Sequence, residues 1–261
     1  MPNRRDVLIG ASALALSSPL TAAETSAPSI IKKAIPKTGE EIPVIGMGTS
    51  RTFNIDSSDD LLPQLGEVIE LFFDGGGTVI DSSPMYGKAE EITGILMKRV
   101  KNGYERLFAA TKVWTDGELA GKNQMHTSME RMGVDVMDLM QVHNLRDWQR
   151  QLATLRAWKA EGKIRYIGIT TSNGRFHEEL SEIMKTEELD FIQFSYSIDE
   201  RTTESNLLPL AADKGIATLI NRPFRRGDTF DAVKDKPLPD WASEIDVESW
   251  GQYFLKFVAS H

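Results

Sequence analysis

TVID at 78–81, LFAATK at 107–112 and DLMQVH at 138–143 are three apolar runs, each closed by a polar residue. The closing residues are Asp81, Lys112 and His143, and successive ones fall 31 residues apart. That interval is about the length of one strand-plus-helix unit. Three parallel strands ending in an acid, a cation and an imidazole would place all three on one rim of a sheet or barrel. In α/β folds the carboxyl-end rim is where chemistry sits. The spacing points to an enzyme and locates its site.

The alternation extends in both directions. Upstream, IIKKAIPKTGEEIPVIGMGTS reads as two short extended pieces joined by the turn KTGE, followed by a buried strand VIGMG (44–48). Apolar residues at helical spacing predict a helix from Leu61 to Phe73, stopped by Gly75, Gly76 and Gly77. Helices are predicted near 89–100, 122–132, 150–161, 175–185, 207–214 and 247–260. Strands are predicted at 164–170, 191–197 and 216–221. Gly162 and Gly215 close two of the helices.

Strict strand–helix alternation means a parallel sheet with crossover helices. An open nucleotide-binding sheet would want GxGxxG after its first strand, and GMGTSR lacks the third glycine. A closed (β/α)8 barrel of the TIM type fits better. The pattern supplies seven units, and the eighth strand and helix of such a barrel are expected to be missing from this chain.

The 261 residues, 41% hydrophobic, suffice for one large α/β domain. A net charge of −8 with no polybasic run argues against nucleic acid as a partner. The absence of cysteine excludes disulfides, thiolate metal sites and a cysteine nucleophile. His126, His177 and His261 show no metal-ligand spacing, so no metal is predicted. The first residues carry paired arginines, Arg4 and Arg5, then an apolar run from Val7 to Leu16, then Thr21 and Ala23 before a cut at Glu24. This pattern predicts a twin-arginine (Tat) signal over 1–23, export by the Tat translocase to the periplasm or beyond, and a barrel domain over 24–261. The apolar run is too short for an ordinary membrane span.

Between Asp81 and the next helix lies SSPMYGKAE, which puts Tyr86 on the same rim as Asp81, Lys112 and His143. A lysine ammonium beside a phenol stabilises phenolate and is expected to lower its pKa, with Asp81 holding the lysine charged and oriented. A neutral imidazole can donate to a substrate oxygen. Together these groups suit protonation of a carbonyl oxygen as a hydride reaches its carbon.

GGGTVIDSSPMYGKAEE (75–91), with AATKVW (109–114), DLMQVHN (138–144), IGITTSN (167–173) and FIQFSYS (191–197), resembles the aldo-keto reductases in motif order and spacing. The resemblance implies a (β/α)8 barrel closed at its base by an N-terminal hairpin, here 31–43, and NADPH bound without a Rossmann motif. It implies reduction of aldehydes or ketones, with Tyr86 as general acid, Lys112 and Asp81 tuning it, and His143 orienting the carbonyl. It places Ser172, Asn173 and Gln193 at the nicotinamide amide, Thr49 by its ribose, and Arg222, Phe224, Arg225 and Arg226 near the pyrophosphate. Asn221 falls where many relatives carry an aromatic that stacks on the nicotinamide, and an asparagine does not stack in that way.

Relatives read the 2′-phosphate and adenine after strand eight, so the chain is expected to be a truncated reductase. A non-catalytic, regulatory nucleotide-binding barrel and an inactive fragment are the rival readings. Ser172 and Asn173 could instead cap the next helix. Trp114 and Trp148 could line the pocket or pack in surface loops, and the arginine cluster could be a solvated loop. The methionine-rich MERMGVDVMDLM (129–140) is expected in the core.

Overall fold

The computed structural model describes residues 30–261. The signal expected over 1–23 lies outside the described residues. A two-stranded antiparallel hairpin comes first, β1 (Lys32–Ala34) and β2 (Glu41–Pro43). Seven parallel strands follow: β3 (Met47–Gly48), β4 (Val79–Asp81), β5 (Phe108–Val113), β6 (Met137–His143), β7 (Ile164–Thr170), β8 (Phe191–Ser195) and β9 (Ala217–Asn221). They pair in chain order, β3 to β9, in one curved sheet. The intervening helices are α1 (Leu62–Asp74), α2 (Ala89–Met97), α3 (Gly103–Arg106), α4 (Glu118–Met132), α5 (Trp148–Ala160), α6 (His177–Thr186) and α7 (Leu207–Lys214). After β9 come α8 (Asp228–Asp231) and α9 (Trp250–Ala259). This is a TIM-type barrel one unit short of closure: the described residues hold seven barrel strands, with β3 and β9 at the edges.

The period of two along each strand sorts side chains between the barrel interior and the helical shell. Ile35, Val79, Phe108, Ala110, Leu139, Tyr166 and Phe191 fill the lower interior as one buried cluster. Phe108 stacks on Tyr166, and Phe191 meets Tyr166 edge-on at 5.5 Å. One step up, Gly168 leaves room that a side chain would not: a Cβ there would sit 2.9 Å from the Phe191 carbonyl oxygen and 3.2 Å from Gln141 Cγ. Alternate residues face outward. Ala109, Val113, Met140, Val142, Ile167, Ile169, Ile192 and Phe194 pack under α4–α7. Met129, Met132, Met137 and Met140 all join that layer, as the methionine-rich stretch predicted.

The hairpin plugs the base. Ile35 is buried in the interior cluster, and Thr38 Oγ1 lies 3.0 Å from the Tyr166 hydroxyl. Tyr166 also donates to Glu40. Gly215 ends α7 with φ +62, giving its N–H to Ala211 and Ala212 as a left-handed cap. Among the described residues no helix is long and apolar enough to cross a membrane.

Candidate active site

The last inward-facing positions of successive strands carry polar side chains where the positions below carry apolar ones. These are Asp81 on β4, Lys112 on β5, Gln141 and His143 on β6, Thr170 on β7 and Gln193 on β8. Their register follows the strand pairing: Lys112 lies opposite Gln141, His143 opposite Thr170, and Thr170 opposite Gln193.

Asp81 is the hub. Its Oδ2 accepts from Lys112 Nζ at 2.5 Å and from Gln193 Nε2 at 3.2 Å, and its Oδ1 accepts from Gln141 Nε2 at 3.0 Å. Lys112 is fully buried, and its ammonium also donates to the Ser82 carbonyl at 2.7 Å. Two of its three hydrogens are thereby assigned, and the third is free to face Tyr86, whose ring centre lies 5.3 Å from Nζ.

Tyr86 stands in the β4–α2 loop, held by its backbone N–H to the Ser83 carbonyl. Its ring meets His143 edge-on, centroids 5.9 Å apart. The structure corrects one expectation here. The phenol pKa lies above its ordinary value, not below it. Burial is the largest cause and outweighs the lowering by Lys112, whose charge is countered by Asp81 at 2.5 Å. The phenol therefore keeps its proton at neutral pH.

His143 is 3% exposed. Burial first, and the Lys112 charge second, push its pKa down to about 3, so the ring is neutral. Its Nδ1 lies 3.0 Å from Ser83 Oγ.

Asp81, Met85, Tyr86 and His143 open onto a cavity of about 880 Å³. It runs along the open side of the barrel, between the chain at 42–49 and β9. Thr49, Ser172, Gln193, Asn221 and Arg222 line it, with Phe224 and Arg226. Asn173 is not a lining residue. Its Oδ1 accepts from the Arg175 N–H at 3.1 Å and caps the turn before α6, so the capping alternative holds for it. Ser172 is held by its N–H to Asn144 Oδ1 at 2.9 Å. Gln193 reaches the cavity but is bonded at both ends, its Oε1 accepting from Thr170. Asn221 donates to the Thr171 carbonyl at 2.9 Å. Among the described residues, Asn221 Oδ1 and Thr171 Oγ1 are buried without a hydrogen-bond partner.

Thr49 Oγ1 lies 3.2 Å from the Asp81 carbonyl oxygen, which can only accept, and 2.9 Å from Ser82 Oγ, so its one hydrogen goes to the carbonyl when Ser82 donates to it. Arg222 and Arg226 adopt left-handed backbone, φ +54 and +63, while Arg225 pairs with Asp199 at 2.9 Å. Trp114 packs in the loop after β5, Trp148 opens α5, and neither lines the cavity. The Arg146 guanidinium covers Trp114 at 4.8 Å, and Trp148 leans on the outer core. A second groove of about 570 Å³, between α1 and α2, lies outside the barrel and holds none of these residues.

Ser83 and Gln141 were missed by the sequence reading. Gln141 had a signal: it lies two residues before His143 on the same strand and so shares its face. Ser83 sits in a loop, where no periodicity reports orientation.

The sequence model of the aldo/keto reductase family matches residues 44–239. The chain is similar to the NADH-specific methylglyoxal reductase of Escherichia coli (30% identity, 58% of this chain and 54% of that protein). It is also similar to the glyoxal reductase of Bacillus subtilis (27% identity, 74% and 67%). The chain spans about half the length of several curated relatives it matches, 54% of the first and 52% of the aldo-keto reductase YhdN of Bacillus subtilis. In fold it is similar to an aldo/keto reductase from Klebsiella pneumoniae solved with NADP and acetate (TM-score 0.73, 21% identity, 89% of this chain and 82% of that one). The matched residues run from the strand that opens the sheet, through every rim position described above, to the loop beyond β9, and this chain belongs to the aldo/keto reductase family.

Proposed function

We propose that this protein reduces small aldehydes or ketones to alcohols with a nicotinamide dinucleotide. The observation that carries the reading is the convergence of Asp81, Tyr86 and His143 on one large cavity, with Lys112 buried behind them, paired with Asp81 and facing the Tyr86 ring. The cavity walls suit the cofactor. Arginine side chains line it for phosphate, and polar groups such as Thr49, Ser172 and Gln193 line it for ribose and amide. When bound, the nicotinamide would supply a hydride to the carbonyl carbon. Tyr86 would give its proton to the carbonyl oxygen, and that oxygen would become the alcohol hydroxyl. Lys112 would stabilise the phenolate left behind, and Asp81 would hold Lys112 in place. His143, neutral and next to Tyr86, would orient the carbonyl.

NADPH is the form the sequence resemblance favours, and the Klebsiella pneumoniae structure holds NADP. The Escherichia coli relative is named NADH-specific, so both forms belong in the test. Two relatives are named for methylglyoxal and glyoxal, which makes 2-oxoaldehydes the first substrates to try. Tyr86→Phe should cut turnover about 100- to 10,000-fold while the melting temperature holds, because the general acid is gone and the ring remains. Retained turnover in that variant would overturn the assignment. Residues 1–23 we read as a Tat signal, and fractionation of cells expressing Arg4→Lys with Arg5→Lys checks it through loss of the exported form.

A further inference from the structure

We propose that Ser83 is a positioning residue that sets the tautomer of His143, holding its proton on Nε2 so that the ring can only donate to a ligand in the cavity. The inference rests on the carbonyl-reductase reading for its consequence, but not for its geometry.

The argument is a count of hydrogens. A serine hydroxyl carries one hydrogen and accepts two hydrogen bonds. Ser83 is fully buried, and its Oγ already accepts the Met85 N–H at 3.2 Å. Its other side-chain contact is His143 Nδ1, at 3.0 Å. Suppose Nδ1 carried the proton. Both acceptor positions of Ser83 would then be filled, and its own hydrogen would need a third partner. Among the described residues, Nδ1 is the one atom placed to accept it. A buried hydroxyl hydrogen with no acceptor is disfavoured by roughly tenfold or more. The hydroxyl therefore donates to Nδ1, and the single proton of the neutral ring resides on Nε2.

His143 lines the cavity, and its Nε2 has no protein partner among the described residues. The ring nitrogen left for a ligand is thus a donor. A carbonyl oxygen there would meet two donors, Nε2–H and the Tyr86 hydroxyl. With the opposite tautomer it would meet a nitrogen lone pair and be repelled. Burial and the neighbouring Lys112 keep the ring neutral, so the tautomer rather than the charge decides what it offers.

Proton–nitrogen long-range correlation spectra of the isotope-labelled full chain test this directly. The chain has four histidines, and His143 is assigned by the signal lost in His143→Asn. The expected result is an Nε2–H ring in the wild type, a mixed or switched ring in Ser83→Ala, and the wild-type pattern again in Ser83→Thr. The value of kcat/KM for methylglyoxal should fall about 10-fold in Ser83→Ala, mostly in kcat, and return in Ser83→Thr. An Nδ1–H ring in the wild type overturns the proposal whatever Ser83→Ala does, even if that variant fails to fold. So does an unchanged tautomer in a folded Ser83→Ala. If the tautomer depends on Ser83 while the wild type reduces no carbonyl compound, the reductase reading fails and the role of Ser83 stands.

Discussion

Asp81 draws its hydrogen bonds from side chains on β5, β6 and β8, so one carboxylate ties half the barrel rim together. Its neighbour His143 carries the main pH dependence of this cluster. In the unfolded chain an imidazole titrates near its ordinary value, whereas in the fold His143 resists protonation down to about pH 3. Between those limits the unfolded state binds the extra proton, so stability falls as pH drops. The slope reaches at most about 1.4 kcal/mol per pH unit below roughly pH 6. Buried His177 is shifted the same way. Buried Glu90, whose pKa is raised chiefly by desolvation, acts with the opposite sign. Urea midpoints at pH 7 and pH 5 for wild type and His143→Asn isolate the term. The wild type should lose more stability than the variant on acidification.

At this scale the sequence was informative wherever a polar residue interrupts an apolar strand, as at Asp81, Lys112 and His143. It was silent where a property depends on what surrounds the side chain. The direction of the Tyr86 shift is set by burial, which a loop sequence does not report. The pairing of Gln193 with Asp81 joins residues 112 positions apart through barrel curvature.

At the scale of elements, the helices lean on close approaches that glycine permits. Gly94 in α2 faces α4 so tightly that a Cβ would lie 2.1 Å from the Arg131 carbonyl oxygen. Gly94→Ala should therefore destabilise the fold by about 1–3 kcal/mol through forced separation of the two helices. Gly66 in α1 meets only Leu96 at 3.7 Å, an ordinary contact. Gly66→Ala should gain about 0.5–1 kcal/mol from helix propensity. Thermal melts of the two variants should move in opposite directions.

Element boundaries were legible to different degrees. Strand β7 and helix α7 fall on their expected bounds. Helix α4 starts at Glu118 rather than near Lys122, because its first turn presents an exposed Leu119 and no apolar face to read. Strand β3 shrinks to Met47–Gly48, since among the described residues it pairs with β4 alone and no strand extends the ladder on its other side. Helix α9 starts at Trp250 rather than near Val247, because Ser249 accepts the Gln252 N–H and sets the cap.

For the molecule as a whole, the hairpin closes the lower interior that the sheet leaves open at its base. Ile35 is its apolar plug, 1% exposed among Phe108, Tyr166 and Phe191. Ile35→Ala should cost about 2–4 kcal/mol by the void it leaves. Denaturant unfolding checks that loss, and an unchanged midpoint would mean the hairpin is a passive cover.

The seven barrel strands are neighbours in space in the same order as along the chain. Every new strand thus finds its partner already made in the segment before it. A nascent polypeptide leaving the ribosome could extend the sheet one strand at a time, each helix covering the seam just formed. No strand would have to wait for a distant later one, and loop closure would stay short at each addition. The rim chemistry would mature last: Asp81 gains its final donor only when β8, with Gln193, has emerged.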